Sequence, residues 1–144
     1  MLNPDVRYHE LEKASERGLR VLMVEDNPIN RRILTLVLER LPAKLTAAVN
    51  GLEAVRAFEE DAFDVVLMDL QMPGIDGYEA MRRIRAFETA NGRARTPIIV
   101  ISAHTRAPDV AESKLSGADH HLGKPVDIPS LLATMDLVMQ AAAA

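Results

Sequence analysis

Five side chains in this 144-residue sequence share a placement that chemistry can use. Glu25 and Asp26 follow the apolar run Leu19-Arg20-Val21-Leu22-Met23-Val24. Asp69 ends the run that starts at Val65, Ser102 follows Pro97-Ile98-Ile99-Val100-Ile101, and Lys124 lies just past Asp119–Leu122. Short apolar runs bounded by turn residues read as strands buried on both faces. In an open parallel sheet the ligand crevice lies outside the carboxyl ends of such strands. Each residue alone has an ordinary structural explanation: Glu25-Asp26 as a solvated helix start, Ser102 as a turn or cap hydroxyl, Lys124 as a surface lysine. Their joint placement at strand ends is what points to a site. Three carboxylates on one rim repel and tend to raise one another's pKa. They need a cation, and an oxygen-only donor set favours Mg²⁺ over zinc. With Lys124 and one divalent ion the crevice carries no net charge, and an incoming phosphoryl dianion would draw both cations toward itself.

The elements that must position these groups follow from the punctuation of the chain. Asn27 is a suitable N-cap and Pro28 suits the first helical position, which predicts a helix to about Leu41, where Pro42 blocks continuation. A second, less regular strand is expected over Lys44–Val49, then the Asn50-Gly51 turn and a short helix over Leu52–Glu60. After the strand ending at Asp69 and the Met72-Pro73-Gly74 turn, a helix is predicted from Ile75 to about Thr89, with Tyr78, Met81, Ile84 and Arg85 along one side. Pro108 to Leu115 reads as a helix stopped by Gly117, and a last helix begins near Asp127 with Ile128, Leu131, Leu132, Met135, Val138 and Met139 as its core stripe. Five strands alternating with five helices predict an α/β fold, a doubly wound five-stranded parallel sheet. No internal repeat or linker interrupts residues 19–139. The domain is expected over 19–140, with residues 1–18 an extension or linker that could form a short helix ended by Gly18, and 141–144 a tail.

Composition narrows the function. Apolar residues make up 48% and charged residues 26%, as expected of a globular domain, while 3% aromatics leave the core to aliphatic and methionine side chains. With no cysteine, disulfides, thiolate catalysis and cysteine-ligated zinc are excluded. A net charge of −4 argues against a nucleic-acid surface. No signal peptide and no spanning apolar run is legible, so the reading is a cytoplasmic domain making no membrane contact.

Val24-Glu25-Asp26-Asn27-Pro28, Met68-Asp69-Leu70-Gln71-Met72-Pro73-Gly74-Ile75-Asp76-Gly77, Ile101-Ser102-Ala103 and Gly123-Lys124-Pro125 together resemble a response-regulator receiver domain of two-component phosphorelays. The Asn27-Pro28 and Gln71-Met72-Pro73 wording is most similar to receivers of hybrid histidine kinases. The resemblance implies a flavodoxin-like fold and a phosphoacceptor role for Asp69, with phosphate arriving from a histidine kinase or a histidine phosphotransfer domain. It implies that Asp26, Asp69 and the main-chain carbonyl of Gln71 ligate Mg²⁺ directly and that Glu25 acts through a metal-bound water. It implies too that Lys124, before a proline bond that is usually cis in the family, pairs with Asp69 and then with the phosphoryl oxygens, and that Ser102 is the switch hydroxyl. Such a domain is a switch or relay rather than a turnover enzyme.

Three further expectations concern particular side chains. Many receivers carry Tyr or Phe as a rotamer switch at the position occupied here by His121, which is expected to move with Ser102, though more weakly. Gln71 and His104, two residues past Asp69 and Ser102, are expected to tune phosphate lifetime. On the first long helix, Leu34, Val37, Leu38 and Leu41 form one apolar stripe, and Ile29, Ile33 and Leu36 form a second, rotated from it. One stripe suffices to pack on a sheet, so the second is the candidate docking surface for a histidine-bearing helix. Two other classes fit a strand-end aspartate. A phosphatase of the haloacid dehalogenase type would carry a second Asp two residues on, where this chain has Gln71. A pseudo-receiver, binding partners without phosphorylation, would not need the full acidic set.

Overall fold

The structure is a computed structural model that describes residues 8–143. The start of the leader and the last tail residue lie outside the described residues. Along the chain run α1 (His9–Arg17), β1 (Leu19–Val24), α2 (Pro28–Leu38), β2 (Ala43–Ala48), α3 (Gly51–Glu60), β3 (Val65–Met68), α4 (Gly77–Ala90), β4 (Ile98–Ser102), α5 (Ala107–Ser116), β5 (His120–Gly123) and α6 (Ile128–Ala143). The strands form one parallel sheet in the order β2-β1-β3-β4-β5. This is the expected doubly wound, flavodoxin-like arrangement, and its strand order reverses between β1 and β3, where the ligand crevice of such sheets lies.

Residue alternation in the strands sorts the core into two layers. Val21, Met23, Leu67, Ile99 and Ile101 face one side, with Leu34 and Leu38 of α2 and Leu131, Leu132 and Met135 of α6. Leu22, Val24, Val66, Met68 and Val100 face the other, with Ala54 and Phe58 of α3 and Ala80, Met81 and Ile84 of α4. The central strands are buried on both faces, as their continuous apolar runs require.

The helix ends follow local chemistry. Asn27 accepts from the backbone N–H of Ile29 and Asn30, capping α2 as expected, and Asp76 caps α4 through Glu79 N–H. Helix α2 is shorter than its apolar pattern suggested, since Glu39 closes it and the chain turns before Pro42. Strands β4 and β5 each extend one residue further than expected, which carries Ser102 and Gly123 into register with each other.

The leader forms a sixth helix. Tyr8, Leu11 and Ala14 are buried in the layer that holds Val138 and Met139. Tyr8, at the N-cap position, makes no side-chain cap bond. Asp136 of α6 serves instead, its Oδ1 accepting from Glu10 N at 2.9 Å and Leu11 N at 3.1 Å. Gly18, with φ 94°, ends the helix in the left-handed region that suits glycine.

Candidate functional site

The crevice is built from the ends of β1, β3 and β5. Glu25 continues β1 on a backbone bond from its N–H to Ala48 carbonyl, 3.0 Å, and Asp69 continues β3 on one to Val24 carbonyl, 3.0 Å. The two chain ends are thus laced together by the sheet's own hydrogen bonding. One carboxylate oxygen each from Glu25, Asp26 and Asp69 falls within 4.8 Å of the others. Lys124 Nζ reaches into the group, 3.0 Å from Glu25 Oε1 and 3.5 Å from Asp69 Oδ1. Lys124 N–H donates to Ser102 carbonyl, and the Lys124-Pro125 bond is cis.

Burial sets the electrostatics. Glu25 is 1% exposed and Asp69 7%, while Asp26 is more open. Burial, and then the Glu25 carboxyl beside it, push Asp69 up to about 7, against the pull of Lys124 and of Gln71 N–H. Burial pushes Glu25 up as well, but hydrogen bonds involving Asp69, Lys124 and Asn30 outweigh it and hold Glu25 below its ordinary value. Two acids side by side cannot both ionise cheaply, so one proton stays with the pair and rests mainly on Asp69. Among the described residues Glu25 Oε2 is buried with no hydrogen-bond partner. A buried carboxylate oxygen without a donor is costly, and a hard cation carrying water would satisfy it. The donor set is all oxygen, so the residues present fit Mg²⁺.

The remaining expected residues lie around this centre. Gln71 N–H donates to Asp69 Oδ1 at 3.3 Å, and the Gln71 side chain is exposed. Ser102 is buried at the end of β4, with its Oγ accepting from His104 N–H at 3.0 Å. His121 turns toward α5, its Nδ1 3.1 Å from Ser113 Oγ, and among the described residues its buried Nε2 has no hydrogen-bond partner. Since Ser113 Oγ donates to Val110 carbonyl at 2.8 Å, the ring nitrogen is the donor in the His121 bond. Burial keeps His121 below its ordinary value, against the pull of His104 backbone and Asp109. A cleft of about 620 Å³ opens beside Asp69's loop, lined by Asp26, Gln71, Met72, Tyr78, His104 and Asp109 among others.

The stripe Ile29, Ile33 and Leu36 is exposed at 70%, 50% and 48%, next to the crevice. Leu34 and Leu38 of the other stripe are buried, with Val37 and Leu41 packed partly against them. Beside Ile33 an apolar groove of about 290 Å³ runs between Asn30 and Leu34 of α2 and the Lys124-Pro125 turn. Gly77, not singled out in the sequence, proves necessary: a Cβ there would sit 2.3 Å from Asp69 carbonyl and 2.8 Å from Leu70 Cα. Arg31 was also missed; its Nη1 donates to the carbonyls of Glu25 and Asp26, each at 3.1 Å.

Strand order, acid cluster and the lysine before a cis proline together define a receiver-type α/β domain. The chain belongs to the response regulator receiver domain family, whose family model matches residues 21–136. It is 42% identical over 112 residues to the sensor protein GacS of Pseudomonas syringae, covering 78% of this chain. It is 40% identical over 116 residues to the virulence sensor protein BvgS of Bordetella bronchiseptica, and 36% over 120 to the peroxide stress-activated histidine kinase mak1 of Schizosaccharomyces pombe, covering 79% and 81% of this chain. It spans 12%, 9% and 7% of those relatives' own lengths. Among solved structures, the receiver domain of a sensor histidine kinase from Pseudomonas aeruginosa, with a magnesium ion coordinated in its active-site cleft, superimposes with TM-score 0.77 at 33% identity, over 85% of this chain and 98% of that one. The receiver domain of Saccharomyces cerevisiae Ssk1, crystallised with the histidine phosphotransfer protein Ypd1, gives TM-score 0.82 at 34% identity, over 88% of this chain and 92% of that one. Among the described residues no helix is long and apolar enough to cross a membrane.

Proposed function

We propose that this domain takes a phosphoryl group from a phosphohistidine onto Asp69, and so switches or relays a signal in a two-component phosphorelay, acting as a phosphoacceptor and not as a turnover enzyme. The observation that carries this reading is the convergence of Asp69 with Glu25, Asp26 and Lys124 in one crevice. An Asp69 oxygen attacks phosphorus, the P–N bond to the partner imidazole breaks, and an acyl phosphate forms. Asp69 must first lose its proton to solvent; the carboxylate then attacks without a base, so the site contributes alignment and charge neutralisation. Asp26, Asp69 and the Gln71 carbonyl would hold Mg²⁺ with Glu25 acting through a water, and the bound ion would neutralise charge on the transferring phosphoryl oxygens. Lys124, 3.5 Å from Asp69 Oδ1, would be drawn to such an oxygen. Ser102 Oγ accepts from His104 N–H, which leaves its own hydroxyl proton to be donated there. His121, the expected switch ring, would have to leave Ser113 to follow that hydroxyl.

The partner is a histidine kinase or a histidine phosphotransfer domain, approaching over Ile29, Ile33 and Leu36. A structural relative's complex with a phosphotransfer protein supports this, as does the similarity to histidine kinases. The net charge of −4 supports a protein partner over nucleic acid, and the reading places the domain in the cytoplasm. Incubation with radiolabelled acetyl phosphate and Mg²⁺ tests the core of it. The parent should take up base-labile label and Asp69→Asn none; equal labelling of the two would overturn the assignment. A parent that neither labels nor binds beryllofluoride with Mg²⁺ would instead be a phosphorylation-independent binding module.

A further inference from the structure

We infer that Arg31 is a positioning residue of the acidic pocket, holding the Glu25-Asp26 turn so that both carboxyls converge on Asp69. This rests on the Mg²⁺ site proposed above. Arg31 lies one turn into α2, a helix whose start is fixed by the Asn27 cap. Its Nη1 is 3.1 Å from Glu25 carbonyl and 3.1 Å from Asp26 carbonyl. The backbone of Glu25 is thereby held from two sides, by Ala48 of β2 through its N–H and by Arg31 through its carbonyl. The bond at Asp26 extends the hold to the residue that has already left the sheet. The chemistry of the pocket makes such a hold necessary. Three carboxylates within 4.8 Å of one another repel, and the more open Asp26 is the one free to swing away. A guanidinium stays charged at every working pH and forks between acceptors, so it opposes that movement. Among the described residues its guanidinium donates to the two carbonyls and to neither carboxylate. Outer-shell partners of metal ligands commonly change metal affinity by about 10–100-fold when removed.

The test compares the parent with Arg31→Met and Arg31→Lys by calorimetric Mg²⁺ titration, with circular dichroism melts to establish folding and acetyl-phosphate labelling measured across Mg²⁺ concentrations. Arg31→Met should weaken Mg²⁺ binding about ten-fold and raise the Mg²⁺ concentration for half-maximal labelling by a similar factor, and Arg31→Lys should recover most of the loss. A folded Arg31→Met protein with parental Mg²⁺ affinity would overturn the inference, including the case where only transfer from a phosphohistidine partner slows, since that marks a docking residue. If Arg31→Met does not fold, Arg31→Gln replaces it, with the same two outcomes. A parent that binds no Mg²⁺ overturns the metal reading and this role with it, whereas a parent that binds it beside an unaffected variant overturns this role alone.

Discussion

At the residue scale, the site depends on how one proton is placed. Asp69 is raised from 3.8 to about 7 by burial and by Glu25. The folded protein therefore holds a proton that the unfolded chain releases at lower pH. The sign follows: in the ion-free protein this carboxyl costs nothing below its unfolded pKa, its cost grows as pH rises toward 7, and above 7 the full cost is present. Glu25, held below its ordinary 4.5, works in the opposite sense but in a lower pH window, adding stability that is lost on acidification. Asp69→Asn should accordingly stabilise the ion-free protein at neutral pH, by on the order of 1–3 kcal/mol, and flatten its stability between pH 4 and 7; urea melts across that range check it. Because Mg²⁺ requires the ionised carboxylate, its affinity should climb with pH up to about 7 and level off above. Calorimetry in two buffers at pH 6 should detect the released proton, and a pH-independent affinity would contradict the assigned proton.

At the element scale, α2 and α1 use their apolar surface differently. Helix α2 buries Leu34 and Leu38 and leaves Ile29, Ile33 and Leu36 in solvent. If that stripe is the docking surface, Ile29→Glu should slow transfer from a phosphohistidine partner by ten-fold or more, on the order of 1.4 kcal/mol, while labelling by acetyl phosphate stays parental. Equal loss of both would place Ile29 in the fold instead. Helix α1 buries Leu11 and Ala14 against α6, with its N-terminus capped by Asp136. Leu11→Ala should cost about 2–4 kcal/mol in denaturant melts. Asp136→Ala should cost about 1 kcal/mol. A helix resting loosely on the domain would show neither.

At the scale of the whole molecule, the crevice joins loops from β1, β3 and β5, so an ion bound there ties together segments far apart in sequence. Ligand bound only to the folded state stabilises it by about 2.7 kcal/mol at a hundred times its dissociation constant. Saturating Mg²⁺ should therefore raise the thermal midpoint by several degrees, and Asp26→Asn should abolish most of that rise; an undiminished rise in the variant would place the ion elsewhere.

The sequence by itself determined the sheet class, the strand ends and the acids on them, because these rest on local signals: short apolar runs, Asn27-Pro28, the Met72-Pro73-Gly74 turn. The exposed second stripe of α2 was legible for the same reason, as helical periodicity assigns faces without knowing the neighbours. What tertiary structure decided were pairings between distant residues. Asp136 caps α1 from 126 positions away, so no local motif announced that the leader packs on the domain. Gly77 is forced by the approach of α4 to the Asp69 carbonyl, and His121 meets Ser113 only because β5 lies under α5. The proton shared by Glu25 and Asp69, and Arg31 behind their turn, depend on distances of a few ångströms, which side-chain identity and spacing along the chain do not encode.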